Sequence, residues 1–315
     1  MQTTMLGRSG LTSTRLIYGC MRITKTGDPA QFDAVKRDAA RASILAAYDA
    51  GFRHFDHADI YGRGLCEQAY GEVRADTPSL RRDDVIVTTK CGIRWAGDPT
   101  PDATHRYDFS KEHILWSCEQ SLKRLRVDTI DVYLLHRPDL LMNPVEIAAA
   151  FDTLLRTGKV RTFGVSNFTP AQVDMLQSHL PMKLVCHQVE VHANRLDPFT
   201  DGTLDQCQRL GITPTAWSPL DRGRLAAGGS VKADDPRRER VEATIAALDA
   251  LAQELSTSRT AAALAWVMKH PAGVLPIVGS TTPEHIRAST AAASLQLTRE
   301  QWYKVLLASR GSALP

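Results

Sequence analysis

The chain has 315 residues, 43% of them hydrophobic, and its 38 basic against 35 acidic residues leave a formal charge of +3. So even a balance argues against a polyanion, nucleic acid or an anionic membrane as the main partner. The length suits two domains or one α/β barrel.

Six cysteines, Cys20, Cys66, Cys91, Cys118, Cys186 and Cys207, are scattered without a C-x-x-C pair or metal-ligand spacing. Reduced thiols in a cytosol-like compartment are expected, not a disulfide framework. The amino terminus, MQTTMLGRSGL, lacks the apolar core of a signal peptide, and no apolar run is long enough to cross a bilayer. A soluble, cytoplasmic protein is therefore expected.

In chain order, a hairpin is predicted around Gly7 to Gly10, followed by eight short apolar runs. They are RLIYGC (15–20), FRHFDHA (52–58), DVIVTTK (84–90), IDVYLLH (130–136), VRTFGVS (160–166), LVCHQVE (184–190), TPTAWSP (213–219) and VLPIVGS (274–280). Their length and Val/Ile content predict strands. The segments between them have helical spacing. Ile114, Cys118, Leu122 and Leu125 share one face behind Ser110 as N-cap, and Val241, Ile245, Leu248, Leu251 and Leu255 form another stripe. Thr282 and Pro283 suit a helix start, and Thr298 to Arg310 is a last amphipathic segment. Eight strand–helix units without a linker predict a (β/α)₈ TIM barrel with an N-terminal β-hairpin and an extra C-terminal helix, one domain over residues 1–315. An open α/β sheet is the alternative, weakened by the lack of an early G-x-G-x-x-G.

Active sites of such barrels lie at the carboxyl ends of the strands. Asp56 and Tyr61 fall at or beyond the end of the second strand, Lys90 ends the third and His136 the fourth. An ammonium favours a phenolate, so Lys90 beside Tyr61 is expected to lower the phenol's pKa, with Asp56 as the counter-charge of Lys90. His136 can hydrogen-bond a substrate oxygen. The set suits protonation of a carbonyl oxygen, and since no side chain supplies hydride, a nicotinamide cofactor is implied.

Several other readings of these residues are weaker. Metal ligation by His54, Asp56, His57, Asp59 and His136 fails on spacing, because adjacent Asp56 and His57 face opposite sides of a strand. His54 is expected to be a hydrogen-bonded barrel residue, His57 to pack toward a helix or loop, and Cys91 to pack as core, not act as a nucleophile.

The stretches LGRSGL (6–11), FDHADIYG (55–62), VTTKCG (87–92), YLLHRPD (133–139), GKVRTFGVSNF (158–168), QVEVH (188–192), AWSPLDRGRL (216–225) and PIVGSTTPEHIRA (276–288) together resemble the aldo-keto reductase family. The resemblance is strongest to bacterial members with HADIYG and LIHRPD-like motifs. It implies NADPH-dependent reduction of aldehydes or ketones, with Tyr61 as general acid, Lys90 and Asp56 tuning it, and His136 orienting the carbonyl. It further implies that Ser166, Asn167 and Gln188 hold the nicotinamide carboxamide while Trp217 stacks on the ring. Gly19 and Met21 would also contact the cofactor, Ser218, Leu220, Gly223 and Arg224 its pyrophosphate, and Gly279, Ser280, Thr281, His285 and Arg287 the adenosine 2′-phosphate. Gly279, Ala288 and Ser289 depart from the Lys/Arg and Glu-Asn common in relatives, which leaves NADH open beside NADPH. His57 stands where relatives often have Thr. Met21, Trp95 and His192 are candidates for the substrate pocket, together with the 93–109 loop. Two rivals remain: a cofactor-binding, redox-sensing regulatory subunit with little turnover, and a dehydrogenase working mainly on alcohols.

Overall fold

The computed structural model describes residues 1–314. All eight predicted runs contain strands: β1 (Ile17–Gly19), β2 (His54–Asp56), β3 (Ile86–Cys91), β4 (Ile130–Leu135), β5 (Val160–Ser166), β6 (Leu184–Glu190), β7 (Thr213–Trp217) and β8 (Leu275–Val278). Neighbours in sequence pair in parallel, and β8 returns to β1 to close the barrel. Around it lie α1 (Ala34–Asp49), α2 (Leu65–Ala75), α3 (Lys111–Leu125), α4 (Pro144–Arg156), α5 (Pro170–His179), α6 (Thr203–Leu210), α7 (Arg238–Glu254), α8 (Arg259–Met268), α9 (Pro283–Ser289) and α10 (Arg299–Arg310). No helix among the described residues is long and apolar enough to cross a membrane.

Local chemistry accounts for most helix starts. Ser110 accepts from the His113 amide at α3, and Thr169 and Thr298 form full capping boxes with Gln172 and Gln301 at α5 and α10. Thr282 differs from expectation. Its hydroxyl caps nothing, and its amide instead donates to Ser280 Oγ at 3.2 Å.

One end of the barrel is packed shut. The hairpin Thr3–Met5/Thr12–Thr14 drives Leu6 into the interior against Ile17, Ile86, Val132, Leu134, Val185, Leu275 and Ile277. Gly7 turns at φ +55°, where a Cβ would lie 2.5 Å from Val185 O, so only glycine fits the approach. Its amide donates to Thr213 Oγ1 at 2.7 Å. Above this plug, His54 bridges Ser13 Oγ (2.8 Å) and Thr88 Oγ1 (2.7 Å), the hydrogen-bonded barrel residue expected. Only the carboxyl ends of the strands are left to hold a site.

The 93–109 loop, whose shape the sequence does not dictate, is pinned. Ile93–Arg94 pairs with Arg106–Tyr107, and Arg94 reaches Asp98 and Asp108 at 3.1 Å each.

Candidate active site

Lys90 is wholly buried at the end of β3 and donates to three acceptors. These are Asp56 Oδ2 at 2.8 Å, the His57 carbonyl at 2.6 Å and the Tyr61 hydroxyl at 3.1 Å. An ammonium has three protons and accepts nothing, so all three are used and Tyr61 Oη is the acceptor in its bond. The phenol's own proton is thereby left for a group outside the protein. Asp56 is satisfied on its other oxygen by Gln188 Nε2 at 2.9 Å. A buried pair of this kind is tolerated because each lone pair and proton finds a partner.

The Tyr61 phenol differs from the sequence expectation. Burial raises its pKa, and Lys90 only partly offsets that, with Asp56 pushing up and Arg137 pulling down. The ammonium therefore keeps the phenol from rising further; it does not make it a phenolate. Lys90 is itself raised: burial disfavours its charge, and the Asp56 carboxylate and Tyr61 outweigh that penalty. His136, held neutral far below the usual imidazole range by burial and by the charges of Lys90 and Arg137, sits edge-on to Tyr61 with ring centroids 5.9 Å apart.

Beyond this cluster the ends of β5 and β7 are tied together. The Trp217 indole N–H donates to Asn167 Oδ1 at 2.9 Å, and Asn167 Nδ2 donates to Ser166 Oγ at 2.7 Å and to the His136 carbonyl at 3.3 Å. Asn167 turns at φ 61° to do so, a conformation Asn tolerates better than most residues. Gln188, by contrast, spends one of its two amide protons on Asp56, which leaves the other proton and Oε1 for a ligand. Arg137 lies with its guanidinium 5.5 Å from the Trp217 ring centroid. Its charge acts on both Tyr61 and His136. Nothing in the sequence singles out Arg137 beyond its place beside His136 in HRPD.

The remaining candidates lie from β6 round to β1, with Trp95 in the loop after β3. After β7 the backbone turns through Ser218 (φ 49°), Asp221 (φ 47°), Arg222 (φ 55°) and Gly223 (φ 97°). Arg224 is held by Asp221 at 3.0 Å and Asp235 at 3.4 Å. Leu220, Ser280 and Thr281 are half-buried, while Gly279, His285 and Arg287 are exposed. A Cβ at Gly223 or Gly279 would meet nothing within 4 Å, so open space lies before both backbones. Hydroxyls, cationic groups and open backbone form a donor set that suits a phosphorylated dinucleotide. Gly19 packs β1 closely on β8, a Cβ there falling 2.8 Å from Ile277 Cγ2. Met21 and Trp95 are exposed, whereas His192 is buried between Glu190 (3.5 Å) and Asp221 (3.9 Å). His192 thus borders a polar cleft between the β6 and β7 loops.

His57 packs on Tyr70 of α2 with ring centroids 4.6 Å apart, on the face opposite Asp56 as expected, and burial depresses it to about 3. Cys91 is buried, and burial raises its thiol well above the usual range, as befits a packing residue.

Comparison with known proteins agrees with this architecture. The aldo/keto reductase family model matches residues 15–306. The 6-dehydroglucose reductase of Novosphingobium aromaticivorans is 42% identical over 98% of this chain and 96% of its own length. The uncharacterized oxidoreductase YcsN of Bacillus subtilis is also 42% identical, over 96% of each chain. Among solved structures, the glycerol dehydrogenase AKR11B4 from Gluconobacter oxydans superposes with a TM-score of 0.84 at 26% identity, covering 99% of this chain and 97% of that one. Closed parallel barrel, polar groups at its carboxyl rim and this agreement along nearly the whole sequence lead to one conclusion: the chain belongs to the aldo/keto reductase family and is an oxidoreductase.

Proposed function

We propose that the protein is a cytoplasmic, NADPH-dependent reductase of a small aldehyde or ketone, working as one catalytic domain over residues 1–315, with Tyr61 as the general acid. The observation that carries this reading is the three-way use of the Lys90 ammonium, which makes Tyr61 an acceptor toward the protein and a donor toward the pocket. A bound nicotinamide supplies the hydride. Ser166, Asn167 and the free amide groups of Gln188 would hold its carboxamide, and Trp217 its ring. Ser218, Leu220, Gly223 and Arg224 would line the pyrophosphate, and Ser280, Thr281, His285 and Arg287 the 2′-phosphate.

The chain's own part in the reaction is positioning and proton delivery. Neutral His136 donates one hydrogen bond to the carbonyl oxygen without carrying charge into the site. Tyr61 then gives its proton to that oxygen as negative charge develops there, and Lys90 stabilises the phenolate left behind. Arg137, close to both, favours substrates with further oxygen atoms beside the carbonyl. A sugar aldehyde would have them, and one relative is named for 6-dehydroglucose.

The test is a tryptophan-fluorescence titration with NADPH and with NADH, followed by a panel of simple, aromatic and sugar-derived aldehydes and ketones. NADPH binding with oxidation of the cofactor by a carbonyl is the expected outcome. Binding without turnover on any compound would favour the regulatory-subunit reading.

A further inference from the structure

We propose that Asp59 is a positioning residue for Tyr61, its carboxyl anchoring to α3 the short turn that joins Asp56 to Tyr61. The inference rests on the assignment of Tyr61 as general acid.

That turn, residues 57–61, is tied to β3 through its backbone. The His57 amide donates to Thr88 O at 2.8 Å and the Asp59 amide to Lys90 O at 3.1 Å, while the Tyr61 amide closes back on Ala58 O at 3.1 Å. The Lys90 ammonium holds the His57 carbonyl and the Tyr61 hydroxyl from the β3 side, and a further side-chain tie comes from α3. Ser117 Oγ of α3 donates to Asp59 Oδ2 at 2.8 Å, and Asp59 Oδ1 is sealed from solvent without a partner although the residue as a whole is only half-buried. Next to it, Glu67 of α2 accepts from Thr89 Oγ1 at 2.5 Å and from Arg124 Nε of α3 at 2.7 Å. Arg124 thus bonds the Glu67 carboxylate and reaches Asp59 only through its charge.

That imbalance decides which form of Asp59 the fold prefers. Burial first, and the Glu67 charge second, push its carboxyl up to about 7, against the pull of the Ser117 hydroxyl and of Arg124. The other ionisable groups facing it are Cys91 of β3 and Tyr133 of β4, both lifted far above their usual ranges and neutral, with Cys118 of α3 close by at about 12. Those three stay neutral near neutral pH, where Asp59 gains or loses a proton. Ionised, it sets a second buried negative charge beside Glu67 and loosens the turn, so kcat should fall as pH rises through about 7. The same shift has a stability signature. A carboxyl raised in the fold and near 4 when unfolded destabilises the protein progressively from about pH 4 to about pH 7.

Asp59→Asn keeps an acceptor for Ser117 and removes the titration, whereas Asp59→Ala removes both. Each is measured beside wild type and Tyr61→Phe for kcat and KM across pH 5.5–9, for NADPH affinity, and for Tm over the same range. The expected result is that Asp59→Asn retains wild-type kcat at pH 6, lacks the alkaline fall and loses less Tm than wild type between pH 5.5 and 8. Asp59→Ala should lose kcat at every pH by roughly 10-fold, with NADPH affinity within about twofold of wild type. Unchanged kcat and pH profile in both variants, with Tyr61→Phe inactive, would overturn the inference while leaving the function intact. Equal turnover of Tyr61→Phe and wild type would overturn both.

Discussion

The two halves of the barrel rim are built on different terms. From β2 to β4 the polar groups stand on strands or one short turn, are largely withdrawn from water, and bind one another: Asp56 to Lys90 and Gln188, Lys90 to Tyr61, Asp59 to Ser117. From β7 to α9 they stand on the loop after β7, which turns at positive φ, on Ser280 and Thr281, and on α9, whose His285 and Arg287 reach solvent. Strand-borne groups cannot drift without breaking the barrel, so that half is preorganised before any ligand arrives. In the proposed function the other half grips a long, charged molecule, while the β2–β4 half places one proton. Chemistry should therefore be lost by changes near β2–β4, and affinity by changes near α9.

The sharpest way to break this contrast is Tyr61→Phe. Turnover should fall by roughly 10²- to 10⁴-fold with cofactor affinity intact. Steady-state kinetics and a fluorescence titration measure the two halves separately, and parallel losses would erase the distinction. Lys90→Met should act on stability as well, because it strands the Asp56 carboxylate in the barrel. A loss of about 3–5 kcal/mol is expected, read by chemical denaturation. An unaltered midpoint would mean that the carboxylate simply takes up a proton at no cost.

On the loop side, Arg287→Ala should weaken NADPH binding by about tenfold through loss of a charge-assisted contact, leaving NADH binding as it was. Equal weakening of both would place Arg287 elsewhere on the nucleotide. The smallest expected effect is an absence. Since His136 is held neutral, kcat/KM should show no acid limb near pH 6.5, and a limb that His136→Gln removes would show that the imidazole titrates in the working range.

Much of the preorganised half is legible in the chain. FDHADIYG places an acid and a phenol five residues apart, and period-2 alternation alone separates Asp56 from His57. Three things there are not legible. Gln188 completes the Asp56 shell from a strand 132 positions away in sequence, and Arg137 acts through space on Tyr61 and His136. The sign of the phenol shift also escapes, because a neighbouring charge is visible in a sequence and the depth of burial is not. On the loop half, Arg224 reads as a phosphate ligand from its motif, yet in the fold it already holds Asp221 and Asp235.

The order of strands and helices, the closure they imply and the residue types at each strand end follow from the sequence by itself. Hydrophobic period and turn chemistry are local properties, written within a few residues of where they act. What only the tertiary structure decided is which polar atoms spend their hydrogen bonds on each other and which are left for a ligand. Lys90 uses all three protons inside the protein, and Tyr61 keeps its one for the pocket. That accounting depends on distances between groups carried by different strands, and no local pattern contains it.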